Sequence, residues 1–200
     1  MEARQFFIQP HRKEENIKIH RYCPRCGEKL ENALVEGTDR SVCAVCGFIQ
    51  YLNPSTGVVV LLEGDGRILL GRRCGRVLSG RWSLPGGYIN FDEDFLSAAH
   101  REVLEETGFH IRILSILSVV TNVISSSLHT LVIVLRAEIT GGAAQPGDDL
   151  DELMWISAQD SLPEMAFESD RHIIRRFFDS SSFGAPVDPR FAGSPYNLPG

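Results

Sequence analysis

The 200-residue chain has no long apolar run and no excess of positive charge. The most apolar stretch, residues 111–124, is interrupted by Arg112, Ser115, Ser118 and Asn122 and falls short of the ~20 apolar residues of a membrane span. The first twenty residues are too charged for a secretory signal peptide, which predicts a cytoplasmic protein without a membrane partner. The net charge of −6 argues against a dedicated nucleic-acid-binding protein, because phosphate contacts need clustered Lys and Arg.

Cysteine is scarce, but four of the five cysteines form two C-x-x-C pairs. Cys23 and Cys26 make one pair, and Cys43 and Cys46 make the other after sixteen intervening residues. This pattern predicts one Zn²⁺ ion held tetrahedrally by four thiolates. Two disulfides or a redox role are the alternatives, and nothing else in the chain suggests secretion. A four-cysteine site has no open position for water, so we expect a structural zinc that helps to fold the module.

A zinc ribbon can also bind nucleic acid, but the charge around this one does not favour that function. Residues 1–50 contain eight Lys or Arg and seven Asp or Glu, which leaves no basic patch. The sequence therefore predicts that a nucleic-acid partner is unlikely. The fifth cysteine, Cys74, is expected to be a buried or half-buried free thiol rather than a nucleophile.

Four glutamates lie close together after the segment Leu84-Pro85-Gly86-Gly87-Tyr88: Glu93, Glu102, Glu105 and Glu106. Because Glu102 and Glu106 are four positions apart, their side chains share one face of a predicted helix, at a repulsive cost of a few tenths (~0.2–0.5) of a kcal/mol. A divalent cation between the carboxylates would remove that cost, and Mg²⁺ or Mn²⁺ prefers such oxygen ligands. The alternative is a solvated acidic helix face.

The segment from Gly87 to Phe109 resembles the Nudix box, the signature of the Nudix hydrolases. It matches the box at Gly87, Glu93, Arg101, Glu102, Val103, Glu105, Glu106, Gly108 and Phe109. Periodicity alone predicts only an α/β or α+β protein. The resemblance implies the Nudix fold, an α/β/α sandwich with a mixed sheet, over residues 53–179. An N-terminal segment at 1–20 and the zinc ribbon at 21–52 would precede it, and a flexible tail at 180–200 would follow.

The coarse secondary structure is compatible with that fold. Leu96, Ala99 and Val103 recur at helical spacing and should pack on the sheet. Ile173, Ile174 and Phe177 are expected to form the inner face of a terminal helix. The patterns predict helices at 93–107 and 169–179, strands at 56–62, 67–73, 111–120, 129–138 and 154–157, and a polar loop at 141–150.

The resemblance also implies the chemistry and the residues that perform it. In the family, water attacks a phosphorus of a nucleoside diphosphate derivative with the help of divalent metal. By motif position, Glu102, Glu105, Glu106 and the Gly87 carbonyl would bind the metal. Glu93 would sit at the helix entrance and act through water, while Arg101 would hold a glutamate by a bidentate ion pair.

The general base stays open between a box glutamate and an acid on a distant loop. Glu152 is the candidate on such a loop, together with Asp151, and a solvated acidic loop is the alternative. Three arginines, Arg72, Arg73 and Arg81, could contact phosphates or could equally have structural partners. Trp82 is expected in the core.

The order of zinc ribbon, Tyr51-x-Asn53-Pro54 and Nudix box resembles two enzyme groups. One is the NADH pyrophosphatases, which carry a Ser-Gln-Pro-Trp-Pro element that is absent here. The second group, ADP-ribose or FAD pyrophosphatases of a shorter type, is the better match. A small-molecule nucleotide is therefore the expected partner, with NADH second. The sequence also leaves open a Nudix-fold sensor, an RNA-directed protein and a homodimer.

Overall fold

The computed structural model describes residues 5–8, 20–125, 128–179 and 184–187. Their strands are β1 (Phe6–Ile8), β2 (Glu31–Val35), β3 (Thr38–Val42), β4 (Ser55–Gly64), β5 (Arg67–Arg73), β6 (Trp82–Ser83), β7 (Phe109–Ser125), β8 (Leu128–Gly142), β9 (Leu150–Ile156) and β10 (Ala185–Pro186). Their helices are α1 (Phe95–Thr107) and α2 (Glu168–Asp179). Across the described ranges, neither helix has the length and apolar character needed to cross a membrane.

One large mixed sheet contains every described strand except the β2–β3 hairpin. Its order is β1-β7-β8-β4-β5-β6, with β9 paired to β5 and β10 paired to β7. Strands β4 and β8 run parallel, whereas β7 and β8 are antiparallel over almost their whole length. The apolar run in β4 is continuous because both faces of this strand are covered, which is the usual pattern of a central strand.

The two helices cover opposite faces of the sheet. On one face, Val58 and Val60 of β4 belong to the same apolar cluster as Leu96, Ala99 and Val103 of α1. On the other, Ile173 and Ile174 of α2 cluster with residues that include Leu61 and Val134, and Phe177 packs against that cluster. The predicted α/β/α sandwich with a mixed sheet is therefore confirmed, and both predicted apolar helix faces are correct.

Helix α1 begins later than predicted. Asp94 caps it, because its Oδ1 accepts hydrogen bonds from the Leu96 and Ser97 amides at 2.8 and 3.1 Å. Glu93 therefore precedes the helix instead of opening it. The helix ends where predicted, with Gly108 in the left-handed region at φ 74° and its amide donating to the Leu104 carbonyl.

Strands β7 and β8 extend beyond both predicted ranges, since they pair with each other through polar positions that interrupt the apolar pattern. Strand β9 also begins earlier than predicted, at Leu150, so the preceding loop is shorter. Among the short strands that were not predicted, β1 pairs with β7 in parallel and β10 pairs with β7 in antiparallel. Residues 185–186 are thus part of the sheet, and most of the predicted tail lies outside the described residues.

Candidate active site

A cavity of about 520 Å³ opens beside the C-terminal half of α1. Its walls come from segment 86–90, the loop after β5, the loop before β9, the adjoining ends of β7 and β8, and the start of α2. Segment 85–89 lies along the first half of β4, because Val58 and Val60 donate backbone hydrogen bonds to the Gly87 and Pro85 carbonyls at 2.9 and 2.8 Å. This pairing holds the two glycines of the segment beside α1.

Two carboxylates of α1 line the cavity and are buried. Glu102 is 8% exposed and Glu106 is 2% exposed. The Gly86 amide donates to Oε2 of Glu106 at 2.7 Å. A Cβ at position 87 would lie 2.5 Å from Oε1 of Glu102, so a side chain at this position would displace the carboxylate. The box glycine therefore allows the Glu102 carboxylate to lie directly against the backbone.

The acidic groups in this part of the cavity outnumber their cationic partners. Burial, together with the nearby Asp149 and Glu102 carboxyls, raises the pKa of Glu106 to about 9. Burial also raises the pKa of Glu102, to which the charges of Glu105 and Asp148 add. A group of carboxylates with too few cations to neutralise them all is a donor set that fits a hard divalent cation.

Arg101 connects the start of the helix with its carboxylates. Its Nε and one terminal nitrogen donate to both oxygens of Glu93 at 3.0 and 2.5 Å. The other terminal nitrogen donates to Glu102 at 2.8 Å and to Glu105 at 3.1 Å. Hydrogen bonding to Arg101 lowers the pKa of Glu93. The bidentate ion pair expected of Arg101 is thus present, and Glu93 is its partner.

The four paired cysteines converge at a second site. Their Sγ atoms all lie within 4.8 Å of one another, which fits a single tetrahedral metal ion. Gly27 and Gly47 have positive φ and donate to the Cys23 and Cys43 carbonyls at 2.9 and 3.0 Å, closing the two turns. A hydrogen bond from a backbone amide, that of Cys46, lowers the pKa of Cys43. The chain thus carries a four-cysteine zinc-ribbon cluster.

Two family comparisons cover both sites. The Nudix N-terminal family, a zinc ribbon, matches residues 21–52, and the NUDIX domain family matches residues 52–177. The chain belongs to the Nudix hydrolase family. Among solved structures, a NUDIX hydrolase from Nitrosomonas europaea aligns with a TM-score of 0.72 and 25% identity, over 84% of this chain and 96% of that one.

Two curated Nudix relatives carry different names and match different fractions of this chain. The ADP-ribose pyrophosphatase of Methanocaldococcus jannaschii is 32% identical over 62% of this chain and 73% of its own length. The NAD-capped RNA hydrolase NudC of Pseudomonas aeruginosa is 28% identical over 85% of this chain. The chain spans only 60% of the length of that NudC protein.

Within this Nudix domain, three predicted site residues, Gly87, Glu105 and Glu152, are not placed as the sequence suggested. The Gly87 carbonyl accepts the Val58 amide and so faces β4, which weakens its prediction as a metal ligand. Glu152 lies on β9 and pairs with Arg72 at 2.7 Å, as Asp151 does at 2.8 Å, and neither lines the cavity. Glu105 is half-exposed and does not line the cavity either. Their functional roles stay predictions.

The acidic residues that do line the cavity come earlier in the same run. Asp148 and Asp149 precede β9 and lie at the cavity wall with Glu102 and Glu106. The sequence showed the acidic run, but the side on which each residue lies depends on how β9 pairs with β5. Leu150 is buried opposite Arg73, which leaves the two preceding aspartates at the mouth of the cavity.

Only one of the three predicted arginines reaches the cavity. Arg73 lines it, pairs with Asp149 at 2.8 Å and lies 5.7 Å from the Phe167 ring centroid. Arg72 and Arg81 pair with carboxylates away from the cavity, and Trp82 packs against the core as expected. Arg76 was missed: it is exposed and lines the cavity, and no carboxylate in the described ranges pairs with it.

Two buried polar residues of the cavity were also missed. Asp170 of α2 accepts the Leu84 amide at 3.1 Å, and burial raises its pKa to about 7. Asn122 of β7 is 6% exposed, and its Oδ1 has no hydrogen-bond partner in the described part of the chain.

Cys74 is exposed, so the prediction that its thiol is buried or half-buried was wrong.

Proposed function

We propose that this Nudix hydrolase cleaves the diphosphate linkage of ADP-ribose or FAD with divalent metal, releasing AMP and a second monophosphate. The observation that carries this proposal is the single cavity that joins buried carboxylates to an apolar compartment. The carboxylates suit a metal–diphosphate group, and the apolar compartment suits the rest of a nucleotide. The similarity to an ADP-ribose pyrophosphatase supports the first substrate.

Mg²⁺ or Mn²⁺ would be held by Glu102 and Glu106, with Asp149 as a further oxygen donor. When bound, the metal neutralises phosphate oxygens and lowers the pKa of a water molecule. Arg101 holds Glu102 and Glu105 in place and ties Glu93 to the helix. We expect Glu105 and Glu93 to act from the outer side of this cluster.

The proton of the attacking water needs an acceptor, and Asp148 is our assignment. It lines the cavity near Glu102, and no cation in the described residues forms an ion pair with it. Glu152, the candidate that the sequence suggested, is neutralised by Arg72.

Arg76 is expected to bind the substrate phosphates. Arg76→Ala should therefore raise KM more than it lowers kcat, and an unchanged KM would exclude this role.

The decisive experiment is a hydrolysis screen with Mg²⁺ and Mn²⁺ across ADP-ribose, FAD, NADH, diadenosine polyphosphates and NAD-capped RNA. Glu106→Gln protein prepared in parallel controls for contaminating hydrolases. We expect ADP-ribose or FAD to be cleaved best, with ¹⁸O from labelled water in a phosphate product. No cleavage of any nucleotide by metal-loaded protein would favour a nucleotide sensor.

NADH or an NAD-capped RNA is the second candidate, because the similarity to NudC proteins extends over 85% of the chain. The absent Ser-Gln-Pro-Trp-Pro element and the lack of a basic patch favour the first candidate. Efficient cleavage of NADH or capped RNA, with negligible activity on ADP-ribose and FAD, would reverse this order.

A further inference from the structure

Asn122 places an unpaired hydrogen-bond acceptor at the end of the cavity away from the carboxylates. The residue is 6% exposed, yet its Oδ1 has no partner among the described residues. A buried acceptor without a partner is costly to a fold, and native proteins rarely keep one without a reason. Because Asn122 also lines the cavity, a ligand can supply the missing donor.

The sheet holds Asn122 in a fixed position. It lies in β7 between Phe7 of β1 and Thr130 of β8, both of which are aligned with it across the strands. Val120 and Ile124 point to the same side of β7 and are buried. An apolar residue at 122 would continue this pattern, so the asparagine does not serve the core.

The surroundings of Asn122 resemble a site for a flat organic ring. Ile124 and Val132 provide apolar walls, and the buried Thr130, aligned with Asn122 across the strands, is a second polar neighbour. Few polar groups on an apolar lining are typical of ligand sites, where the polar groups determine orientation and specificity. No arginine or lysine is among the residues of this wall, so a phosphate would gain nothing here.

The distance to the carboxylates indicates how long the ligand is. Segment 85–89, β4, β8 and β7 are successive rows of the sheet, so three spacings of ~4.8 Å, about 14 Å along the sheet, separate the strand of Asn122 from the segment that contacts Glu102 and Glu106. A free phosphate cannot reach both ends. A nucleoside diphosphate, with its base at one end and its phosphates at the other, can.

We propose that Asn122 is a specificity-determining residue that reads the adenine base of the substrate. Its carboxamide oxygen accepts a hydrogen bond from the exocyclic amino group, and its amide group donates to N7, the bidentate pairing that asparagine makes with adenine. This inference rests on the proposed function for the diphosphate end only. ADP-ribose, FAD and NADH all contain adenosine diphosphate, so the assignment holds for each of them.

Binding and turnover test the proposal separately. Calorimetry on the full chain measures the affinity for AMP, IMP and nicotinamide mononucleotide, and kinetics compares ADP-ribose with its hypoxanthine analogue, in which a carbonyl replaces the amino group. We expect the wild type to prefer adenine by about 10- to 100-fold. Asn122→Leu should reduce that ratio to nearly one, because it weakens the binding of AMP and of ADP-ribose and leaves the hypoxanthine compounds with nothing to lose.

Two further variants separate recognition from structure. Asn122→Thr, a strand-forming residue without a carboxamide, should lose the preference as the leucine variant does. Val119→Ala, an exposed position of β7 outside the cavity, should keep it. Without ligand, Asn122→Leu should be at least as stable as the wild type, because it removes an unpaired buried acceptor.

Three results would overturn the assignment: an unchanged preference in both Asn122 variants, a lower melting temperature of ligand-free Asn122→Leu, or loss of nicotinamide mononucleotide binding with AMP binding intact. The second result would mean that Asn122 has a structural partner. Asn122-dependent AMP binding in a protein that hydrolyses no nucleotide would support the adenine site and reject the proposed function. Hydrolysis of ADP-ribose that does not change when Asn122 is replaced would support the proposed function and reject the adenine site.

Discussion

Replacing Glu106 by glutamine should stabilise the metal-free protein while it abolishes hydrolysis. Glu106 is 2% exposed, and its pKa is raised from 4.5 to about 9. At pH 7 the folded chain must therefore either keep a proton that the unfolded chain has lost or bury a charge. Each pH unit between the ordinary pKa of 4.5 and pH 7 lowers the free energy of unfolding by about 1.4 kcal/mol, so Glu106 destabilises the metal-free fold by about 3 kcal/mol. Glutamine has no proton to lose and can still accept the Gly86 amide.

The sign of the pH dependence follows from the raised pKa. Between pH 4.5 and about 9 the native protein binds more protons at Glu106 than the unfolded chain does. The contribution of Glu106 to stability therefore falls as the pH rises through that window. The advantage of Glu106→Gln should be near zero at the acid end and approach its full size at the alkaline end.

Urea denaturation of chelator-treated protein at pH 5, 7 and 8.5 measures this effect, and Mg²⁺ should reverse the order by stabilising only the wild type. Turnover at saturating Mg²⁺ should fall on the order of 10³-fold. Glu105→Gln is the matched control: Glu105 is 49% exposed, so we expect lost turnover but a stability change of about 0.5 kcal/mol or less. Near-normal turnover in both variants would refute the metal-ligand assignment, and a Glu106→Gln protein that is less stable at every pH would refute the reasoning from burial.

Three other predictions concern separate parts of the molecule. Cys26→Ser should lose close to one zinc per chain by elemental analysis and unfold the ribbon while the Nudix domain stays folded; full retention of zinc would reject the four-cysteine site. Asp170→Asn should be more stable than the wild type by about 4 kcal/mol at pH 8 and by much less at pH 4, because the buried Asp170 has its pKa raised from 3.8 to about 7 and asparagine can still accept the Leu84 amide. Asp148→Asn should lower kcat with little change in Mg²⁺ affinity, and an unchanged kcat would return the general base to the box glutamates.

The box helix could be predicted from sequence because its signals are local. Spacing alone put Glu102 and Glu106 on one face and Val103 on another, and Gly108 marked the end. The burial of Glu106 could not be predicted, since it depends on segment 85–89 lying along β4 and donating the Gly86 amide to the carboxylate. The alternative of a solvated acidic helix face would suit an isolated helix, but it does not hold for the buried Glu106.

The sequence also could not predict which of the acidic residues near the start of β9 face the cavity. In a strand, neighbouring side chains point to opposite faces, so a small change in where β9 starts changes which acids face the cavity. The sequence suggested a start at Met154, whereas β9 begins at Leu150. Glu152 consequently lies opposite Arg72 in the ladder, and Asp148 and Asp149 precede the strand at the cavity wall.

Asn122 shows why a functional residue can look like a structural boundary. A polar residue in an apolar run lowers the strand signal, and the predicted strand accordingly stopped at residue 120, although β7 continues to Ser125. Pairing with β8 overrides the local signal, so the strand passes through Asn122 and buries its carboxamide beside Thr130. Sequence and fold disagree at this position because the residue there does not favour the fold, and such disagreements are expected where a protein meets its ligand.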